Sequence, residues 1–572
     1  MAEQKIVKER FGEEEIEVIY SKSSCFPDEN HPGVKRETIL LKAGSVHGER
    51  AAPLTSDILF EKDVPVRLRD GVVIFADVFR PAGDGAVPAI IAYSPYGKHV
   101  HSLHLPWGVP DEILSNLQKQ EGPDPGFWVP QGYAVVQPDA RGTFYCYGDN
   151  RSFGTAEAKD GYDIVEWAAA QPWCSGKVAM AGNSYLAVSQ FLTASLRPPH
   201  LAAIAPWEGF TDFYRHTNLN GGIPNFGFQK RVDAEKEGFT WYENTAAMAE
   251  KYPCMNAYWE DKRTKLENID VPAYIVASYV SKFHTYGTLE AFGAIASKEK
   301  WLRVHNTHEW PDLYEYQPDL KKFFDRFLKG EENGWEKTPR VRLSVLDTTG
   351  EDIVNRLETD FPLPDTEYRN LYLDSDGHTL SDALPAKEAK EKYCADDRKD
   401  FLEFTFTFEE PAETTGYFGA HLWVETEASD DLDLFVYALK ADETDALRPI
   451  IVHGAPSSGF EGLKLYSPCG RLRASFRELD EEKSTQAKPF HTFRVRKKLT
   501  PGVPVRVDIP LWPAGIKYKK GEKLKLIISG YEWNKEEWPD LKPAQTVNKG
   551  NAFVYTGGDK ASYLTAPFIP KR

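Results

Sequence analysis

Lys177-Val178-Ala179-Met180-Ala181-Gly182-Asn183-Ser184-Tyr185-Leu186 is an apolar, strand-like run that breaks at a glycine and resumes in Leu186-Ala187-Val188 as a helix-like segment. A strand that turns this sharply into a helix lifts the side chain at the turn above the sheet, and small residues must flank it because the backbones approach closely there. Gly182 meets that need two residues before Ser184, whereas Leu186 stands two residues after it, where a second glycine is usual. The stretch predicts a nucleophile elbow at Ser184. A Gly-x-Ser turn alone recurs by chance in a long chain, so its surroundings decide the matter.

Outward from the elbow, strand-like runs alternate with helical segments across residues 64–205: apolar runs at 72–78, 89–93, 133–137, 178–181 and 202–205, with a helix over 160–170. That alternation is the pattern of a parallel sheet covered by helices on both faces. Residues 273–277 and 301–305 supply two further strands, and the helical spacing of Leu320, Phe323, Phe324, Phe327 and Leu328 ends at Gly330 to Gly334. Beyond Val341 short β-rich runs follow one another without helices, which predicts a β-sandwich, specifically a jelly roll. The expected fold is therefore an α/β-hydrolase doubly wound sheet (residues 56–207 and 271–334). To it are added an N-terminal arm (1–55), a helical cap insertion (208–270) rich in Trp and Tyr over the strand ends, and a C-terminal jelly-roll domain (335–572).

With 572 residues the chain is too long for one core, and its net charge of −17, without a long Lys/Arg cluster, repels phosphate backbones and anionic bilayers. Nucleic acid and membrane are excluded as expected partners. The six cysteines form no C-x-x-C pair, so reduced thiols are expected, and the N-terminal Met1-Ala2-Glu3-Gln4-Lys5 lacks the apolar core of a secretory signal. A cytoplasmic location is the expectation.

Serine is a weak nucleophile unless a base takes its proton, so Ser184 needs a histidine from another strand end. His308, in the loop after the strand at 301–305, fits the chain order Ser, acid, His of this fold. His284 and His305 compete, the latter from within its strand. A tetrahedral oxyanion needs fixed donors; the Tyr185 N–H at a helix start is one, and the Tyr96 hydroxyl, from the loop Tyr93-Ser94-Pro95-Tyr96-Gly97-Lys98 after an early strand, is the other.

These residues resemble the cocaine-esterase and X-Pro dipeptidyl-peptidase-like branch of the α/β-hydrolases. The resemblance is carried by Arg69-Asp70-Gly71, Ser94-Pro95-Tyr96, Asp139-Ala140-Arg141-Gly142, Asp160-Gly161-Tyr162-Asp163, Gln171-Pro172-Trp173 and Gly182-Asn183-Ser184-Tyr185, and later by Asp431-Leu432-Asp433 and Gly470-Arg471-Leu472-Arg473. It implies Ser184 as nucleophile, His308 as base, Tyr96 and the Tyr185 amide as oxyanion hole, and no metal or organic cofactor. One member departs. Ser281 stands where the family has its triad aspartate, and a hydroxyl cannot supply the charge that stabilises an imidazolium. Glu208, at the end of the neighbouring strand and at a position other α/β-hydrolases use, is the expected replacement, weighed evenly against a role binding a cationic group of the substrate. Asp212 reads as a helix cap or ion pair, Arg141 as an architectural partner of strand-end carboxylates, and Glu309 and Asp312 as too near His308 to aim at its far nitrogen. The expected activity is hydrolysis of a small-molecule ester or amide through an acyl-enzyme. Two alternatives are an acyl transferase or cyclase of secondary metabolism and a ligand-binding protein that has lost turnover.

Overall fold

Eleven strands hydrogen-bond into one central sheet in the computed structural model, which describes residues 3–23, 33–98, 109–234, 236–349, 351–452, 463–534 and 544–571. In chain order they are β1 (Glu37–Leu41), β2 (Ile58–Arg67), β3 (Val73–Pro81), β4 (Val87–Ile91), β5 (Ala134–Pro138), β6 (Cys174–Asn183), β7 (Leu201–Trp207), β8 (Ala273–Ser278), β9 (Lys300–His305), β10 (Val341–Val345) and β11 (Ile353–Glu358). Across the sheet the order is β11-β10-β9-β8-β7-β6-β4-β5-β3-β2-β1. From β5 to β10 all neighbours are parallel, and antiparallel strands complete both edges. Every residue of β5 and β8 is buried, as a strand sandwiched between helices requires. Four helices bear on the site: α1 (Thr155–Ala169), α2 (Tyr185–Ser195), α3 (Thr285–Ala294) and α4 (Glu309–Glu315).

Two assignments change. Residues 341–345, read as the first strand of the C-terminal domain, are β10, which pairs in parallel with β9 through Leu302 and Val341 and extends the central sheet. The helix stop at Gly330 to Gly334 also ends the crossover that a parallel strand needs before it. The N-terminal segment is also more than an arm. Gln4–Phe11 and Glu14–Lys22 form an antiparallel hairpin, which pairs with Trp241–Glu243 of the cap, while β1 from the same segment closes one edge of the central sheet. Its period-two signal is short: Ile16, Val18 and Tyr20 alternate inward from Glu14–Lys22.

The cap consists of short helical pieces, among them Phe213–Asn218, Phe226–Ala234, Thr245–Lys251 and Ala257–Asp261. The β-rich C-terminal domain packs directly on it. Met255 donates its N–H to Phe493 O at 2.9 Å, and at Gly221 an added Cβ would lie 2.1 Å from Arg471 O, so only a glycine lets the two backbones meet there. Among the described residues no helix is long and apolar enough to cross a membrane.

Candidate active site

Ser184 links β6 to α2 with φ 55° and ψ −115°, the strained turn that the sequence predicts. Backbone bonds from Ser184 N to Trp207 O (3.0 Å) and Glu208 O (3.1 Å), and from Asn183 N to Glu121 O (3.0 Å), hold it there. Gly182 has φ 131°, and a Cβ on it would come within 2.5 Å of Leu186 Cδ2 and 2.9 Å of Glu121 O. The fully buried Leu186 therefore occupies the space that the missing side chain of Gly182 leaves, which explains how the turn forms without a second glycine. Gly182→Ala is expected to cost roughly 2–4 kcal/mol through overpacking and backbone strain; thermal or urea unfolding of the purified variant measures it, and wild-type stability would contradict this account.

The side-chain hydrogen bond of Ser184 runs to His284: Oγ and Nε2 are 3.4 Å apart. On the other side of the ring, Nδ1 lies 2.9 Å from Glu309 Oε2 and 3.1 Å from Ser281 Oγ. His284 precedes α3 and Glu309 opens α4. The expectation of His308 as base is thereby corrected. His308 caps α4, its Nδ1 accepting from Trp310 N at 3.5 Å while its ring packs on the Trp310 indole at 4.7 Å. The reason lies in sheet register. β8 and β9 are parallel neighbours with Ser278 opposite His305, so the loops that follow them lie side by side, and a histidine on one and a carboxylate on the other meet in either order.

Glu208 is likewise not on His284 Nδ1. It is fully buried, with φ 49°, and its carboxylate takes the Ser278 hydroxyl at 2.9 Å and lies 2.6 Å from His305 Nε2. Asp312 is held by Arg303 (Nη1 to Oδ1, 3.0 Å) and by the Trp207 indole N–H at 2.8 Å. The result is a second His–carboxylate layer beneath the first.

The charges differ between the layers. Burial would raise the Glu309 carboxyl, but the neighbouring His284 outweighs it and keeps Glu309 below its ordinary value and ionised. Burial pushes Glu208 up, with His305 only partly opposing. Burial would also lower His305, yet Asp312 and Glu208 hold it above its ordinary value. Burial lowers His308, which favours its neutral ring.

Tyr96 packs edge-on against Tyr185, with centroids 5.7 Å apart, which puts the predicted oxyanion loop beside the elbow. The Tyr185 amide is the first N–H of α2 and has no acceptor within the helix, as any helix start leaves it. The Tyr185 hydroxyl points away and donates to Glu157 at 3.0 Å, whose carboxyl burial pushes up to about 7. Asp212 caps Arg215 N at 2.9 Å and pairs with its guanidinium, and Arg141 forks onto Asp160 at 2.7 Å while reaching Asp70, both in the structural roles expected.

Glu208, His284 and Glu309 offer ligand atoms within 4.8 Å of one another, close enough to hold a cation. Each already has a protein partner, so their arrangement is accounted for by the two hydrogen-bonded layers.

A serine raised on a strand-to-helix elbow, with a histidine and a carboxylate behind it on an α/β-hydrolase sheet, defines a serine hydrolase. Residues 70–246 match the X-Pro dipeptidyl-peptidase (S15 family) model, and residues 333–565 match that of the X-Pro dipeptidyl-peptidase C-terminal non-catalytic domain. The crystal structure of a CocE/NonD family hydrolase from Staphylococcus aureus superposes with a TM-score of 0.86 at 34% identity, covering 95% of this chain and 98% of that one. The chain belongs to this CocE/NonD hydrolase family. A cocaine esterase from Rhodococcus sp. (strain MB1 Bresler) is 27% identical over 467 residues, 64% of this chain and 78% of its own length. An α-amino acid ester hydrolase, at 18% identity, TM-score 0.67 and coverage of 96% of this chain and 100% of that one, shares the fold.

Proposed function

We propose that the chain hydrolyses a small-molecule ester or amide by acyl transfer through Ser184, with His284 as base and Glu309 as the acid of the triad. His284 Nε2 takes the Ser184 proton as Oγ attacks the carbonyl carbon. The carbonyl oxygen becomes an oxyanion, which the Tyr185 N–H and the Tyr96 hydroxyl stabilise. His284 then returns the proton to the leaving alkoxide or amine, leaving an acyl ester on Ser184. Water enters, loses a proton to the same nitrogen and attacks the acyl carbon, and Ser184 recovers its proton as the acid departs. Throughout, Glu309 accepts the Nδ1–H, which fixes the tautomer and balances the imidazolium.

The observation that carries the reading is the unbroken chain from Ser184 Oγ to His284 (3.4 Å) to Glu309 (2.9 Å) at the elbow. The first contact is long, as such contacts often are without substrate. The ionised Glu309 supplies the charge that Ser281 cannot, which favours turnover over a ligand-binding role. A fluorophosphonate probe should add one phosphonyl mass to wild type, localised to Ser184 by peptide mapping, and none to Ser184→Ala. Labelling that persists in Ser184→Ala would overturn the assignment.

A further inference from the structure

Two lysines lie buried behind the loop that carries Tyr96. Lys119 has no exposure, and its ammonium donates to Ser94 O at 3.1 Å and Pro138 O at 2.8 Å. Lys98 is 5% exposed; its ammonium reaches Asp63 Oδ1 at 2.8 Å and Asp139 Oδ2 at 3.1 Å, and its own N–H donates to Asp139 Oδ1 at 2.7 Å. Asp77, also fully buried, accepts the Asp63 N–H at 2.9 Å. Removing so many charges from water is costly, and their mutual attraction repays it only when the geometry is good and the remaining hydrogen bonds are satisfied. The cost is visible in Asp77, which burial pushes up to about 7, and in Lys119, which burial pushes down to about 8.

The contacts fall on either side of one residue. Ser94, two before Tyr96, is held by Lys119; Lys98, two after it, is held by Asp139; and Gly97, with φ 86°, makes the bend between. Lys119 also spans from Ser94, in the loop after β4, to the last carbonyl of β5, and Asp139 follows β5, so the loop is fixed to the sheet and not only to itself.

We infer that Lys119 and Lys98 are positioning residues that clamp the Tyr96 loop from both sides, so that the hydroxyl is already aimed at the oxyanion before substrate binds. This rests on the oxyanion role proposed for Tyr96. Preorganised donors stabilise a transition state because no reorientation is needed when charge develops, so loosening the clamp acts on kcat and leaves KM largely alone.

The test is a double-mutant cycle on the full chain with a p-nitrophenyl ester. Tyr96→Phe should lower kcat by about 10- to 1,000-fold. Lys119→Met should lower kcat by about tenfold or more, with KM changed less than about threefold. In the Tyr96→Phe background Lys119→Met should have almost no further effect on kcat, because the hydroxyl it positions is gone. If circular dichroism shows that Lys119→Met does not fold, Asp139→Asn, which keeps the shape and an acceptor for the Lys98 N–H, takes its place in the cycle with the same dependence expected. Equal losses in both backgrounds, a loss confined to KM, or wild-type kcat in the folded clamp variants would overturn the inference while leaving the Tyr96 role standing. A wild-type kcat in Tyr96→Phe would overturn the oxyanion reading and the inference with it.

Discussion

Replacing His284 by Asn is expected to lower kcat for an activated ester by about 10,000-fold or more, as loss of the base does in serine hydrolases, whereas His308→Asn should stay within about tenfold of wild type. The contrast follows from what each ring touches. His284 receives the Ser184 hydroxyl and is backed by Glu309, while His308 caps a helix and packs on Trp310. Asparagine is the informative replacement at 308 because its side-chain oxygen can keep the cap, so activity is read without losing α4. Steady-state kinetics of the two purified variants, with fluorophosphonate labelling rates as a second measure of Ser184 reactivity, decide the matter. An inactive His308→Asn beside an active His284→Asn would return the base to His308 and require the two loops to rearrange when substrate binds.

The second large effect is at the acid. Glu309→Gln should reduce kcat by about 100- to 10,000-fold, since an amide can hold the ring without balancing the imidazolium. Glu208→Gln should cost less than about tenfold in kcat, because its carboxyl answers to Ser278 and His305 in the layer beneath. The reverse ranking would assign the acid to Glu208. Glu309 carries a stability signature as well. Its folded value lies below the ordinary 4.5, so the unfolded chain binds the proton more readily. Its contribution is present above that ordinary value and is lost as pH falls through the folded one. Melting temperatures across the acid range should therefore fall more steeply for wild type than for Glu309→Gln.

The sequence registers one signal of this exchange between loops. The acid position of the family holds Ser281, and a histidine follows three residues later; the histidine loop holds His308, and a carboxylate follows at once. Each loop thus carries the residue type expected of the other. Chain order pointed to His308, because order along the chain is a habit of a fold and not a physical constraint on which side chains meet.

What the sequence determined by itself is local. The elbow at Ser184 follows from a strand, a glycine and a helix in ten consecutive residues, and the sheet follows from apolar runs at strand length between helices. The layered network of His284, Glu309, His305, Glu208 and Asp312 was decided by tertiary structure alone. Those side chains come from the end of β9, from the segments that follow β7 and β8, and from α4 beyond β9, and parallel register brings the three strand ends to one level. Which histidine faces the serine, and which carboxylate faces that histidine, then depends on a few ångströms of loop path and on burial, and neither is a property of any single stretch of chain.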